Sequence, residues 1–320
     1  MYPADEFKSC PLCRGYFKGT QYRTVPYPSK IDVNLKNRPK AIVFCGHCGI
    51  GVAHPAWSDN ELEQFYAAGD YWRHHKIERL SPKNYPVPHA LAVSRWKLLE
   101  PFLGIDRKIS ILDIGAGHGF LGMVAAESKS VNLSKYTCVE KDKVLTESLS
   151  KTWSVSCYGK ELEIKESIGD VRDNFECIVL SHILEHVIDP RTFLCQVLEK
   201  LTPDGILFVD VPNQDHLFKK DVFPHFLFFN TFSLRFLFEE CGLKVKLIDC
   251  YGNDMERSPL NYRNNSVAKR ILVKIIMGGR NIIPIKMMLT FFTRYFEMDK
   301  QNANGIWIRA VGQYYREASF

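Results

Sequence analysis

The chain has 320 residues, room for one large domain or two modest ones. With 46% hydrophobic and 24% charged residues it has a globular composition, which excludes collagen-like, fibrous and mainly disordered chains. Its net charge is +6, its uncharged apolar runs fall short of the ~20 residues of a membrane span, and its start lacks a signal-peptide pattern, so we expect a soluble cytoplasmic protein. Ten cysteines are too dilute for a secreted disulfide scaffold and suit a reducing compartment.

Residues 1–57 carry two cysteine pairs, Cys10-Pro-Leu-Cys13 and Cys45-Gly-His-Cys48, separated by 31 residues. Paired knuckles of this kind bind tetrahedral zinc through four thiolates, and four protein ligands close the site, so a structural zinc in a ribbon-like module is expected. His47 is an alternative ligand, and cysteines simply packed in a core are the plainer reading. Residues 58–106 open with Ser58 ahead of Glu61, a capping-box pattern, and continue through ELEQFYAAGDYW and HALAVSRWKLLEPFL. Both segments predict helices that connect to the larger domain and cover its cofactor.

Residues 107–320 form that domain. Short apolar runs alternate with helical ones in the order ISILDIG, GFLGMVAAES, YTCVEK, ECIVLSH, DPRTFLCQVLEKL and GILFVDVP. Such alternation predicts βαβ units, a parallel sheet and the α/β class. A helix over Ser233–Cys241 with Gly242 as its stop, a strand over LKVKLIDCY and a last strand over GIWIRAVGQY follow. Residues 253–304 become a helical insertion before that last strand. Between Arg257 and Arg294 lie eight basic residues and no acidic ones, so the positive charge is local and the rest of the chain is slightly acidic. Val267, Ile271, Leu272, Ile275 and Ile276 form one helical stripe, with Lys269, Arg270 and Lys274 outside or flanking it. This segment suits a lid or dimer contact over the substrate mouth, or a face for an anionic membrane or glycolipid. Nucleic acid is disfavoured, because basic and aromatic residues do not interleave across the domain.

The densest constellation is ILDIGAGHGFLG, residues 111–122. A strand runs into Gly115, Gly117 and Gly119, where backbone must turn sharply or approach a ligand closely. Gly117, Gly119 and Gly122 also spell the dinucleotide pattern GxGxxG, and a turn that merely packs helix on strand is the structural alternative. Against the dinucleotide, Gly115 takes the first place after the strand, and the sixth position from it is Phe120. The Asp113 carboxylate there suits an amino-acid-bearing cofactor better than a pyrophosphate. Glu140, ending the next strand, is placed for two ribose hydroxyls under either reading.

Here the chain resembles the class I S-adenosylmethionine-dependent methyltransferases. The resemblance rests on ILDIGAGHG, YTCVE, IGDVRD, ECIVLSHILEHVIDP and LTPDGILFVDVPN, and spans residues from about 90 to 250. It implies a Rossmann-like, seven-stranded, mostly parallel sheet with helices on both faces, and S-adenosyl-L-methionine as cofactor. By the same resemblance Asp113, Gly115, Ala116 and Gly117 surround the methionine moiety, Glu140 and the adjacent Lys141 hold the ribose, Asp170 and Val171 flank the adenine, and Ser181 and His182 complete the wall.

Methyl transfer to a weak nucleophile needs a base. His225, in DVFPHFLFFNTFSL, is the candidate, with a histidine packed among phenylalanines as the alternative. Asn213 in DVPN is placed to bind acceptor hydroxyls, or is a turn asparagine. His182, Glu185 and His186 are spaced i, i+3, i+4. They resemble the motif with which some ubiquinone-pathway O-methyltransferases hold a divalent ion, although His182 replaces an acidic residue; helix capping beside the cofactor is the other reading. The N-terminal pattern, CGHCGIGVAHP then ELEQFYAAGDYW, resembles zinc-ribbon-headed methyltransferases of sugar, polysaccharide and secondary-metabolite pathways, and the Tyr and Glu signature of their C-methylating members is missing. O-methylation of a sugar, polysaccharide or small-metabolite acceptor is therefore expected, with sugar C-methylation, RNA methylation and a cofactor-binding regulatory protein as alternatives. A homo-oligomer and a position against the inner membrane face are both compatible with this.

Overall fold

In chain order the strands and helices are β1 (Tyr22–Pro26), β2 (Ala41–Cys45), β3 (Gly51–His54), α1 (Pro86–Leu99), β4 (Lys108–Ile114), α2 (Phe120–Ala126), β5 (Asn132–Val139), α3 (Lys143–Ser156) and β6 (Glu161–Lys165). They continue with β7 (Phe175–Ser181), α4 (Pro190–Leu198), β8 (Leu201–Pro212), β9 (Leu227–Phe228), α5 (Thr231–Glu240), β10 (Leu243–Asp254), α6 (Val267–Gly278), α7 (Ile285–Tyr295) and β11 (Gly305–Tyr314). The structure, a computed structural model, describes residues 9–15, 22–28, 39–56, 61, 80–157, 159–261 and 267–314. The expected Ser58 cap and almost all of the ELEQFYAAGDYW helix lie outside them.

Seven strands form one sheet in the order β10-β11-β8-β7-β4-β5-β6. Pairing is parallel from β8 through β6, and β11 runs antiparallel to both its neighbours. The α/β class and the seven-stranded, mostly parallel sheet are therefore as expected. Strand order reverses at β4, which pairs β7 on one side and β5 on the other. Ligands of open α/β sheets bind in the crevice beyond the strand ends at such a point.

Side chains alternate along each strand, and both faces are covered. Ile111, Tyr136, Cys138, Val179 and Phe208 pack under α1, α2 and α3. Leu112, Ile114, Ile178, Leu180 and Val209 pack under α4, α5 and the N-terminal strands. Strands buried on both faces read as continuous apolar runs, which is why β4, β7 and β8 are visible in sequence. The sequence reading has no α3 or β6. The first is rich in Ser, Thr and Lys, and rests on the Asp142 side chain, which accepts from the amides of Val144 and Leu145. The second, ELEIK, is an edge strand with no buried residue. Helix α5 begins two residues earlier than expected, because Asn230 caps it in a reciprocal box with Ser233.

The N-terminal strands do not close on themselves. Their four-stranded sheet has the order β1-β2-β3-β9, so its last strand comes from the larger domain. Ile42, Phe44, Ile50 and Val52 share one buried cluster with Leu227, Phe228 and α5. At ~1.5–3 kcal/mol per fully buried side chain, this outweighs the half-exposed pair Arg14–Asp189, a surface ion pair worth ~0–1 kcal/mol.

Gly122 of α2 lies against the ring of Tyr136 on β5, where a Cβ would come within 2.6 Å. The Tyr136 hydroxyl donates to Asp113 Oδ2 at 2.6 Å, so the ring is anchored and cannot withdraw. Gly122 thus serves helix–strand packing. Gly122→Ala should cost ~1–3 kcal/mol and lower the thermal midpoint by several degrees in a denaturation scan; an unchanged midpoint would show that the ring yields.

Candidate functional site

Beyond the end of β4 the chain turns through Gly115, Gly117 and Gly119, all at positive φ. A Cβ on Gly115 would overlap the Ile183 side chain, and one on Gly119 would come within 2.6 Å of Leu149. At Gly117 the same Cβ would meet nothing within 4 Å. Two of the glycines are required by packing, and Gly117 leaves an open approach to its backbone. Its amide donates to Glu140 Oε2 at 2.9 Å, while Glu140 Oε1 accepts from the amide of Asp142 at 3.0 Å. Glu140 thereby ties the turn to the end of β5, with Ala116 half-buried beside it and Lys141 exposed.

The sheet face under α1 ends in a row of polar groups. Asp113 lies opposite Val179, two residues before Ser181; Ser181 pairs with Asp210, and Asp210 with Arg309. Asp210 Oδ2 accepts from Arg95 Nε of α1 at 2.7 Å and lies 3.3 Å from Arg309 Nε. Arg309 Nη1 also donates to Ser94 Oγ and to the Met298 carbonyl. Five buried atoms in this row and above it have no hydrogen-bond partner: Asp113 Oδ1, Ser181 Oγ, Asp210 Oδ1, Arg309 Nη2 and Arg95 Nη2. Burial raises the Asp210 carboxyl, but the two guanidinium groups outweigh it and hold it below the ordinary range. Asp113 goes the other way, pushed up to about 6 by burial against the opposing effects of Tyr136 and Arg95, with Glu140 adding to the rise. Unpartnered buried polar groups are costly, and a row of them beyond the strand ends makes this a candidate ligand site.

A second cluster lies on the loop after β8. His225 Nδ1 is 3.0 Å from Asp215 Oδ2, which is also 3.0 Å from Lys219 Nζ. Burial raises the Asp215 carboxyl, yet His225 and Lys219 outweigh it and keep it ionised. The ring of His186 meets that of His225 edge-on at 4.9 Å. Burial pushes His186 down to about 4, so it stays neutral near pH 7. The expected single helical face over His182, Glu185 and His186 is not what forms. Leu184–His186 is one short 3-10 turn after His182, whose φ is +57°, and His182 Nδ1 sits 3.0 Å from Glu185 Oε1. The group with mutual spacing suited to a metal is Glu185, His186 and His225, with ligand atoms within 4.8 Å of one another.

The N-terminal module grips this loop. Val222 N donates to the Pro28 carbonyl, Tyr27 Oη to the His225 carbonyl at 2.9 Å, Ala53 N to the Phe226 carbonyl, and Asn230 Nδ2 to the Gly49 carbonyl. Within the module Cys10, Cys13, Cys45 and Cys48 bring their sulfurs within 4.8 Å of one another. The Cys10–Cys48 and Cys13–Cys45 separations are both 3.6 Å, close to the ~3.8 Å edge of a tetrahedron with ~2.3 Å zinc–sulfur bonds. The four cysteines fit a zinc ion.

Other expected site residues stand apart from the two clusters. Asn213 is buried, and its amide nitrogen donates to the Gly305 carbonyl at 2.8 Å and to Cys250 Sγ, which locks the end of β8 to β10 and β11. Asp170 caps the Ile168–Asp170 turn by accepting from Ser167, and Val171 beside it is buried. Arg95, Asp210, Arg309 and Asp215 are absent from the sequence reading. The signal that could have found Asp215 is its place ten residues before His225 on the same loop; the other three meet only through the fold.

Residues 75–247, just over half of the chain, match the family model described as a methyltransferase domain. The human mitochondrial ubiquinone biosynthesis O-methyltransferase is 25% identical over 215 residues, 54% of this chain and 52% of that protein. Its bovine counterpart is 37% identical over 54 residues, 17% of this chain and 15% of that one. The chain thus spans about half the length of the human relative. The solved structure of Haemonchus contortus phosphoethanolamine N-methyltransferase 1, with phosphoethanolamine and S-adenosylhomocysteine, superposes with a TM-score of 0.53 over 83% of this chain and 51% of that one, at 11% identity. That likeness is one of fold.

The raised Asp113 carboxyl gives a signed pH dependence. Below about 6 it is neutral and cannot pair with an ammonium group, so affinity for S-adenosylmethionine should rise as the pH climbs through that value, with release of about one proton. The free protein should lose stability over the same rise, because its fold favours the protonated form. Titration calorimetry between pH 5 and 8 checks both the affinity and the proton count, and Asp113→Asn should flatten the profile.

Proposed function

The chain belongs to the methyltransferase-domain family, and on that footing we propose that it transfers a methyl group from S-adenosylmethionine to a hydroxyl oxygen of a small-molecule acceptor. The observations that carry this reading are the unpartnered Asp113 Oδ1 and Arg95 Nη2, near enough for Arg95 to act on the Asp113 carboxyl, and the open backbone at Gly117. An α-amino-acid end is a zwitterion, and this pair offers it one acceptor and one donor. Asp113 would take its ammonium and Arg95 its carboxylate. Glu140, now satisfied by two backbone amides, would exchange them for the ribose hydroxyls, and the Asp170–Val171 turn would border the adenine.

S-adenosylmethionine supplies an electrophilic sulfonium methyl, open to direct displacement. The chain must then remove the acceptor's proton and hold it. His225 is suited to this: Asp215 Oδ2 lies 3.0 Å from Nδ1, close enough to stabilise the imidazolium that forms, and a small rotation of either side chain would complete the hydrogen bond that directs Nε2 to the hydroxyl proton. The neutral ring of His186 packs beside it without adding a positive charge that would suppress protonation. Both curated relatives bear the name O-methyltransferase, which supports oxygen as the acceptor atom. Within that class the N-terminal cysteine pattern favours the hydroxyl of a sugar or related metabolite.

We further propose that Cys10, Cys13, Cys45 and Cys48 hold a structural zinc, whose role is to keep β1–β3 in shape to grip the His225 loop.

Two measurements test these readings. His225→Ala should lower turnover at least ~100-fold, with S-adenosylmethionine affinity unchanged by calorimetry, and Asp215→Asn should follow it to a smaller extent. Retained turnover in His225→Ala removes the base assignment. Metal analysis should find about one zinc per chain, lost in Cys45→Ser together with turnover, while Asp113 and Arg95 still bind cofactor. Metal-free protein that is fully folded and active overturns the zinc.

A further inference from the structure

The helical insertion α6–α7 carries an amphipathic face that the fold does not use. It leaves the sheet at Asp254 and returns at Gly305, the edge where β4, β7 and β8 also end. Its inner side is packed: Ile276 and Met277 of α6, with Leu289 and Phe292 of α7, join a cluster with Ala90 and Phe218. The sequence stripe Val267, Ile271, Leu272, Ile275 and Ile276 is therefore split. Ile276 turns inward with Val273 and Met277, whereas Ile271, Leu272 and Ile275 face outward and are exposed. Ile282 in the connection is 89% exposed, and Met287 on α7 is exposed as well.

Single exposed aliphatic residues are ordinary, but these are concentrated. Among the described residues, five of the eleven exposed large hydrophobics lie between Ile271 and Met287. Exposed Lys274, Lys286 and Arg294 lie among and just beyond them, and the whole run from Arg257 to Arg294 contains no acidic residue. On α7 a groove lined by Pro284, Met287, Phe291 and Tyr295 has Lys286 and Arg294 among its lining residues.

We propose that this face docks the protein on an anionic phospholipid bilayer. A bilayer answers both halves of the pattern, with phosphates at the depth of the basic groups and hydrocarbon beneath for the aliphatic ones. A second copy of the chain would set positive against positive. A nucleic acid would satisfy the cations and leave Ile275 and Ile282 in water. No helix among the described residues is long and apolar enough to cross a membrane, so the hairpin lies in the interface plane. Phe218, which it covers, follows Asp215 on the loop that leads to His225, so docking brings that loop towards the lipid surface. The docking itself requires no assumption about the reaction.

The test is flotation of the full chain with phosphatidylcholine vesicles, with and without phosphatidylglycerol. Partition is expected onto the phosphatidylglycerol vesicles alone, falling as salt is raised. The pairs Ile275→Asp with Ile282→Asp and Lys274→Glu with Lys286→Glu should each lower partition at least ~10-fold, with thermal midpoint and cofactor affinity unchanged, since all four side chains point outward. The proposal is overturned by absent partition at low salt, by partition that salt does not weaken, by partition that both variants retain, or by a solution dimer that the same variants dissociate.

Discussion

One carboxylate, that of Asp210, joins three elements at the end of the sheet where strand order reverses. It belongs to β8, draws Arg95 from α1, and lies against Arg309 from β11, so helix, central strand and antiparallel edge meet on a single anion. Two guanidinium groups under a dry helix could not be buried without it. Removing one partner from a buried charge set of this kind costs ~3–5 kcal/mol, well above what its surface ion pairs return. The arrangement is also incomplete in itself: Asp210, Asp113 and Arg95 each keep a buried polar atom without a partner. The fold thus holds donors and acceptors in reserve at the point where strand order reverses, and a zwitterionic ligand is what would satisfy them.

The cluster around His225 follows a different logic. Asp215, Lys219, His225 and His186 come from the loop after β8 and the turn after β7, segments with little regular structure of their own. Their geometry is imposed from outside by the cysteine-bearing strands, through the Tyr27 hydroxyl on the His225 carbonyl and the pairing of β3 with β9. The strands that grip and the loop that is gripped are thereby supplied by distant parts of one chain. In this arrangement a metal held at the four sulfurs would reach the His225 loop only through these strands.

What could be read from sequence was what depends on near neighbours. Asp113, the three glycines and Glu140 announce themselves because a strand, a tight turn and the next strand end must follow at fixed spacing. The cysteine pairs do so because two-residue gaps are the shape of a knuckle. Arg95 was illegible, since one arginine in a helix of mixed polarity looks like a solvated cation until the helix is laid on the sheet. Asp210 and Arg309 are hidden inside strands that otherwise read as apolar, and they meet only across the β8–β11 pairing. Asn213 shows the opposite failure: its position after a strand suggested a ligand, whereas the fold uses it to fasten three strands. Even the amphipathic stripe of α6 was legible only as a period, and which half of it faces inward was decided by Phe218 and Ala90, far away in sequence.

The borrowed strand also sets an order of events at the ribosome. Gly49 and Asn230, which join the module to the loop, are 181 residues apart. At ~5–20 residues per second, β1–β3 emerge on the order of 10–40 s before β9 exists to pair with them. Throughout that interval the β3 edge, with its buried Val52 and Ala53, has no native partner and is a template for any other extended chain. Its strand is only four residues long and ends at His54-Pro55, and both features blunt such an edge. The last native contacts of the N-terminal module are thus late events in synthesis, completed when the segment carrying His225 and β9 arrives.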